Sequence, residues 1–148
     1  MQTTNYAGLS AEDKDLLDTA EKALSLAYNP YSKFYVACAA LDQEGRIFSA
    51  TNFACSSSTS NLCAERSVIA VANAQGSRNL IKMALIVSNE NPDDDSVVYS
   101  PCGVCRQLMQ ELAIITGQNL DLIISSQDKS RITMTSIKEL LPLAYERQ

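Results

Sequence analysis

Histidine is absent from this chain of 148 residues. Without imidazole, any site for a transition metal must draw its ligands from cysteine and carboxylate. Basic clusters are missing too. Twelve Lys and Arg stand against 17 Asp and Glu, giving a net charge of −5 and a pI near 4.6. Binding to nucleic acid, which relies on grouped cations that displace counterions, is thereby disfavoured. No apolar run approaches the roughly 18 residues that suggest a bilayer span. Residues 1–8 lack a basic stretch followed by an apolar one, so neither a membrane segment nor a secretory signal is expected. Repeats, low-complexity tracts and linker-like stretches are also lacking. The expectation is one cytoplasmic domain over residues 1–148, long enough to bury roughly 70% of its unfolded surface.

What is present reads as alternating helices and strands. A helix is expected from Ser10 to Tyr28, with Ser10 and Asp13 resembling a capping box and Asn29-Pro30 ending it. Phe34–Leu41 and Arg46–Thr51 read as a hairpin around Asp42-Gln43-Glu44-Gly45. A helix begins near Cys63 and stops at Gly76, and Lys82–Ser88 reads as a buried strand. A third helix opens at Pro101-Cys102 and ends before Gly117. Leu120–Ser125 and Arg131–Thr135 read as strands, and Ser136 with Glu139 caps a brief last helix. The acidic run Asp93-Asp94-Asp95 reads as a solvated loop. The order α-β-β-α-β-α-β-β-α points to a layered α/β domain with a mostly covered sheet.

Two segments carry the chemistry, Cys63-Ala64-Glu65-Arg66 and Pro101-Cys102-Gly103-Val104-Cys105-Arg106-Gln107, and each lies where a loop enters a helix. Five cysteines, two of them in Cys-x-x-Cys, suggest metal or redox chemistry in a reducing compartment. A catalytic zinc needs three protein ligands and one open position. Cys102 and Cys105 are three apart on a first helical turn and can aim at one point, and Cys63 supplies a third sulfur. Glu65, two residues on, can reach water at the open position without ligating the ion, and can move a proton to a leaving nitrogen. Three thiolates leave zinc with one excess negative charge. Two helix N-termini and the candidates Arg66 and Arg106 could offset it. A redox pair remains an alternative, as does a four-cysteine structural site completed by Cys38 or Cys55, although Cys38 falls inside an apolar strand.

Taken together, these segments resemble the zinc nucleoside-deaminase signature in the all-cysteine form of small tetrameric cytidine deaminases. Tyr28-Asn29-Pro30-Tyr31-Ser32-Lys33-Phe34, Glu44-Gly45-Arg46-Ile47-Phe48 and Glu139-Leu140-Leu141-Pro142-Leu143-Ala144-Tyr145 carry the likeness over nearly the whole chain. The resemblance implies a three-layer α/β/α fold around a five-stranded mixed sheet, a homotetramer, a zinc ion, and conversion of cytidine or deoxycytidine to the uridine with release of ammonia, as in pyrimidine salvage. It further implies that Phe34 packs on the base, Asn52 binds ribose hydroxyls, amides near Ala64 hold the pyrimidine, and Tyr145 reaches a substrate pocket, its own or a neighbour's.

One position departs from the pattern. The family's ribose-binding stretch reads Asn-x-Glu, whereas here it is Asn52-Phe53-Ala54. Losing a charged acceptor for a buried hydroxyl costs about 1.5–3 kcal/mol, roughly ten- to a hundredfold in affinity. Blasticidin-S deaminases, which act on cytosine linked to an altered sugar, also lack that Glu. A modified cytosine nucleoside or related antibiotic is therefore an alternative substrate. A zinc-containing binding protein without catalysis is a second alternative, against which Glu65 argues.

Overall fold

The structure, a computed structural model, describes residues 1–89 and 99–147, and the Asp93–Asp95 run lies outside them. Helix α1 spans Ala11–Leu24. Ser10 caps it as a reciprocal pair, its Oγ accepting from the Asp13 amide at 3.1 Å and donating to the Asp13 carboxylate at 2.7 Å. The helix stops four residues short of the expected Tyr28 because tertiary pairing claims the backbone there. The Tyr28 amide donates to Asn52 O, and the Ala54 amide donates to Tyr28 O.

The strands are β1 (Gln2–Thr4), β2 (Phe34–Asp42), β3 (Ile47–Thr51), β4 (Leu80–Asn89), β5 (Asp121–Ser126) and β6 (Ile132–Ser136). They form one mixed sheet in the order β1-β6-β5-β4-β2-β3. Among the described strands only β4 and β5 run parallel, joined by a crossover that includes α3 (Gly103–Thr116). Among the described residues the sheet thus has six strands rather than the expected five. The extra one is β1, a polar three-residue edge strand paired antiparallel to β6. Backbone hydrogen bonds alone create it, so no apolar alternation announces it in the sequence.

Alternation along the central strands sorts side chains onto two faces. Ala37, Ala39 and Leu41 of β2, with Ala84 and Ile86 of β4, meet Leu16, Leu17 and Ala20 of α1. Cys38 and Ala40, with Met83 and Leu85, meet the opposite layer. That layer is built from α2 (Ala64–Ala74), α3 and α4 (Ile137–Leu140), through Val68, Met109 and Ile137. The architecture is therefore α/β/α, with α2 and α3 side by side on one face. Gly117, in the left-handed region at φ 69°, ends α3 where a β-carbon would be strained. Among the described residues, no helix is long and apolar enough to cross a membrane.

Candidate active site

Cys63 is the N-cap of α2 and Cys102 the N-cap of α3, and neither sulfur caps its own helix. Both are free to turn toward the point where the two helices begin. Cys105, one turn into α3 and fully buried, joins them. The sulfurs of Cys63 and Cys102 lie 4.0 Å apart and those of Cys102 and Cys105 3.3 Å apart, and all three fall within 4.8 Å of one another. Zinc–sulfur bonds of about 2.3 Å at tetrahedral angles put sulfurs about 3.8 Å apart, so this donor set fits one small, soft-ligated ion. Cys38 is buried in β2, Cys55 is half-buried, and neither belongs to the cluster.

Two of the three thiols are displaced in opposite directions by their mutual contact. Hydrogen bonds from the Cys105 and Cys102 thiols, with the charge and hydrogen bond of Arg66, push the Cys63 thiol down to about 5. Cys105 moves the opposite way, since it shares that hydrogen bond and is desolvated. Glu65, the second residue of α2, is 5% exposed. Burial pushes its carboxyl up, and the neighbouring Cys63 charge adds to the rise. A carboxyl raised in this way is suited to both taking and returning a proton.

A cavity of about 330 Å³ opens beside the sulfurs, and Cys63, Cys102 and Glu65 form part of its wall. Phe34, Asn52, Ala54 and Ala64 line it as well. Tyr145 does not: its side chain is largely exposed, and its carbonyl accepts from Gln107 Nε2 at 2.8 Å. The Phe34 backbone is held twice over, its carbonyl accepting from Asn29 Nδ2 and Asn52 Nδ2, each at 2.9 Å. Of the two arginines, Arg66 is the one whose charge lowers the Cys63 thiol, and it donates to Asn61 O. Arg106 turns to oxygens instead: Pro101 O, Leu140 O and Ser100 Oγ.

A match to the family model for the cytidine and deoxycytidylate deaminase zinc-binding region covers residues 10–117, which contain all three sulfurs and Glu65. The chain belongs to that family. A cytidine deaminase of Sporosarcina psychrophila is 32% identical over 133 residues, 90% of each chain. A blasticidin-S deaminase of Bacillus cereus is 29% identical over 152 aligned positions, 99% of each. The crystal structure of cytidine deaminase from Burkholderia pseudomallei superposes with a TM-score of 0.76 at 29% identity, covering 93% of this chain and all of that one. Cytidine deaminase from Mycobacterium tuberculosis gives 0.71 at 28%. The deaminase family's zinc-binding character accords with the three-sulfur cluster, and zinc is the cofactor.

Some lining residues carry little signal in the sequence. Tyr99, whose ring tilts against Phe34 at 5.9 Å between centroids, lines the cavity together with Leu62 and Val36. Tyr99 stands three residues before Cys102, and proximity to a ligand was the available clue. Val36 and Leu62 read as ordinary strand and loop positions until the fold brings them together.

Proposed function

We propose that this chain catalyses the hydrolytic deamination of cytidine and deoxycytidine, with Cys63, Cys102 and Cys105 holding zinc and Glu65 moving the protons. The observation that carries this reading is a buried carboxyl beside three converging sulfurs, at the wall of a cavity that also presents an aromatic ring. Zinc with three protein ligands supplies Lewis-acid chemistry that makes water a nucleophile near neutral pH. Glu65 accepts one proton of the attacking water and passes it to the ring nitrogen beside the reacting carbon as the carbon–oxygen bond forms there. It then carries the second proton, from the new hydroxyl, to the exocyclic nitrogen, whereupon the carbon–nitrogen bond breaks, the carbonyl forms and ammonia leaves. Phe34 packs against the pyrimidine. The first-turn amide at Ala64 helps to hold the ring, and Arg66 offsets the thiolate charge.

Among the described residues lining the cavity there is no Lys or Arg. A phosphate group would find no cation there, which supports a nucleoside over a nucleotide. Asn52 has spent its Oδ1 on the Val36 amide and one Nδ2 hydrogen on Phe34 O. One donor and one acceptor site remain for a sugar hydroxyl. Ala54, 4% exposed in the cavity wall, offers the sugar no side-chain polar atom. That vacancy, with the likeness to a blasticidin-S deaminase along almost the whole chain, favours a second reading, a cytosine nucleoside with an altered sugar. One domain, a homotetramer in the cytoplasm and a place in pyrimidine salvage are proposals of the same kind; Tyr145, expected to reach its own or a neighbour's pocket, lies outside its own cavity here, which favours the neighbour's.

A substrate panel read by ultraviolet absorbance tests these readings: cytidine, deoxycytidine, cytosine, cytidine monophosphate and blasticidin S. Turnover of cytidine and deoxycytidine at similar rates, with little of the monophosphate, is expected. Turnover of blasticidin S alone would replace the first reading by the second. Turnover of none, with zinc bound, would overturn both.

A further inference from the structure

Cys102 is the most exposed of the three sulfur ligands, so packing does little to place it and the backbone around it must do so. That backbone is gripped by one residue. The Arg106 amide donates to Cys102 O at 2.9 Å as the helix hydrogen bond, and Arg106 Nε donates to Pro101 O at 2.8 Å. Its Nη2 donates to Ser100 Oγ at 2.8 Å, so residues 100, 101 and 102 are all fastened to Arg106. The third arm of the fork, Nη1, donates at 3.0 Å to Leu140 O, the carbonyl of the last residue of α4.

The chain beyond that carbonyl is held to the same helix by two further bonds. Gln107 Nε2 donates to Tyr145 O at 2.8 Å, and Gln110 Nε2 donates to Glu146 Oε1 at 2.9 Å. Leu143 and Tyr145 are largely exposed, so this segment contributes polar fastenings rather than apolar burial of those two side chains. All three fastenings start from α3, the helix that Cys102 caps.

We propose that Arg106 is a positioning residue that couples the C-terminal segment, residues 140–146, to the Ser100–Cys102 limb of the metal site. Its role is geometric. A planar guanidinium can satisfy three acceptors in fixed directions, whereas an ammonium of equal charge cannot reproduce that fork. The segment thereby governs how firmly Cys102 keeps its metal, although it contributes no ligand. The inference rests on the three-sulfur zinc site proposed above.

The experiment measures zinc transfer from purified holoenzyme to a chromophoric chelator, alongside the urea midpoint, for the natural chain, Arg106→Lys, Gln107→Ala and Ser100→Ala. The expected result is zinc loss about 10- to 100-fold faster in Arg106→Lys. Gln107→Ala and Ser100→Ala should show smaller accelerations, with urea midpoints close to that of the natural chain. Zinc release at the natural rate from a folded Arg106→Lys protein would overturn the proposal, because charge alone would then suffice. If Arg106→Lys fails to fold, the other two variants decide, and natural release rates in both overturn it. A natural chain that binds no zinc would instead refute the metal assignment itself.

Discussion

The side-chain amide of Asn52, at the end of the β2–β3 hairpin, reaches back to Phe34 at the start of that hairpin and donates to its carbonyl at 2.9 Å. Its oxygen accepts from the Val36 amide at 3.0 Å, so one side chain replaces the ladder bonds that β3 no longer provides. Replacing it with Ala strands the partly buried Val36 amide and leaves the Phe34 carbonyl with Asn29 Nδ2 alone. Asn52→Ala should lose about 1–3 kcal/mol of stability, measured by urea unfolding, and should raise KM for cytidine. An unchanged KM would mean that Asn52 serves the hairpin and not the substrate.

Glu65→Gln preserves size and removes the transferable proton. The variant should retain zinc and fold while ammonia release falls by at least about 100-fold. Metal analysis and absorbance at saturating substrate check both parts. Normal turnover would end the proton-transfer role.

Cys102→Ser breaks the Cys-x-x-Cys pair. About one zinc per natural chain is expected, and the variant should lose most of that metal together with activity. Equal turnover in natural protein stripped of metal would contradict the assignment of zinc as cofactor.

A pH-dependent stability should arise far from the sulfurs. Asp42 is 1% exposed and accepts from the Glu44 and Arg46 amides, Arg46 Nε and Ser77 Oγ, at 2.8–3.0 Å. Burial alone would raise its carboxyl, but the Arg46 amide, the Ser77 hydroxyl and the Arg46 charge outweigh it and hold it below the ordinary range. For a carboxyl depressed in the folded state, the stabilisation is complete above the unfolded value. It is lost as pH falls through the folded one. Asp42→Asn should therefore cost about 1.5–3 kcal/mol near neutral pH and progressively less below about pH 4. A stability difference that does not change with pH would refute this account. The contact matters to the site because Ser77 follows α2, so Asp42 anchors the far end of the helix that starts at Cys63 and Glu65.

Much of this was open to reading from local pattern. The Ser10–Asp13 and Ser136–Glu139 caps, the stop at Gly117 and the hairpin around Gly45 depend on neighbours within four residues, and they formed where expected. The end of α1 and the strand β1 were not legible. Both are decided by backbone partners far along the chain, Asn52 and Ala54 in one case and Ile132–Met134 in the other. Arg106 belongs with them. Its neighbours in sequence suggested the sulfurs, whereas the Leu140 carbonyl, 34 residues on, shares its guanidinium.

By itself, the sequence narrowed the candidate donor set to cysteine and carboxylate. With no histidine, and with two sulfurs one helical turn apart and a glutamate two residues from a third, the chemistry of a three-thiolate zinc site with a neighbouring acid was already constrained, because those relations are short-range. Only the tertiary structure decided that Cys63 and Cys102, 39 residues apart, come within 4.0 Å. It also placed Glu65 at a cavity walled by Phe34, Tyr99 and Ala54. Such meetings depend on two helices packing side by side on one sheet face, which is set by the sum of many burial contacts and by no single motif.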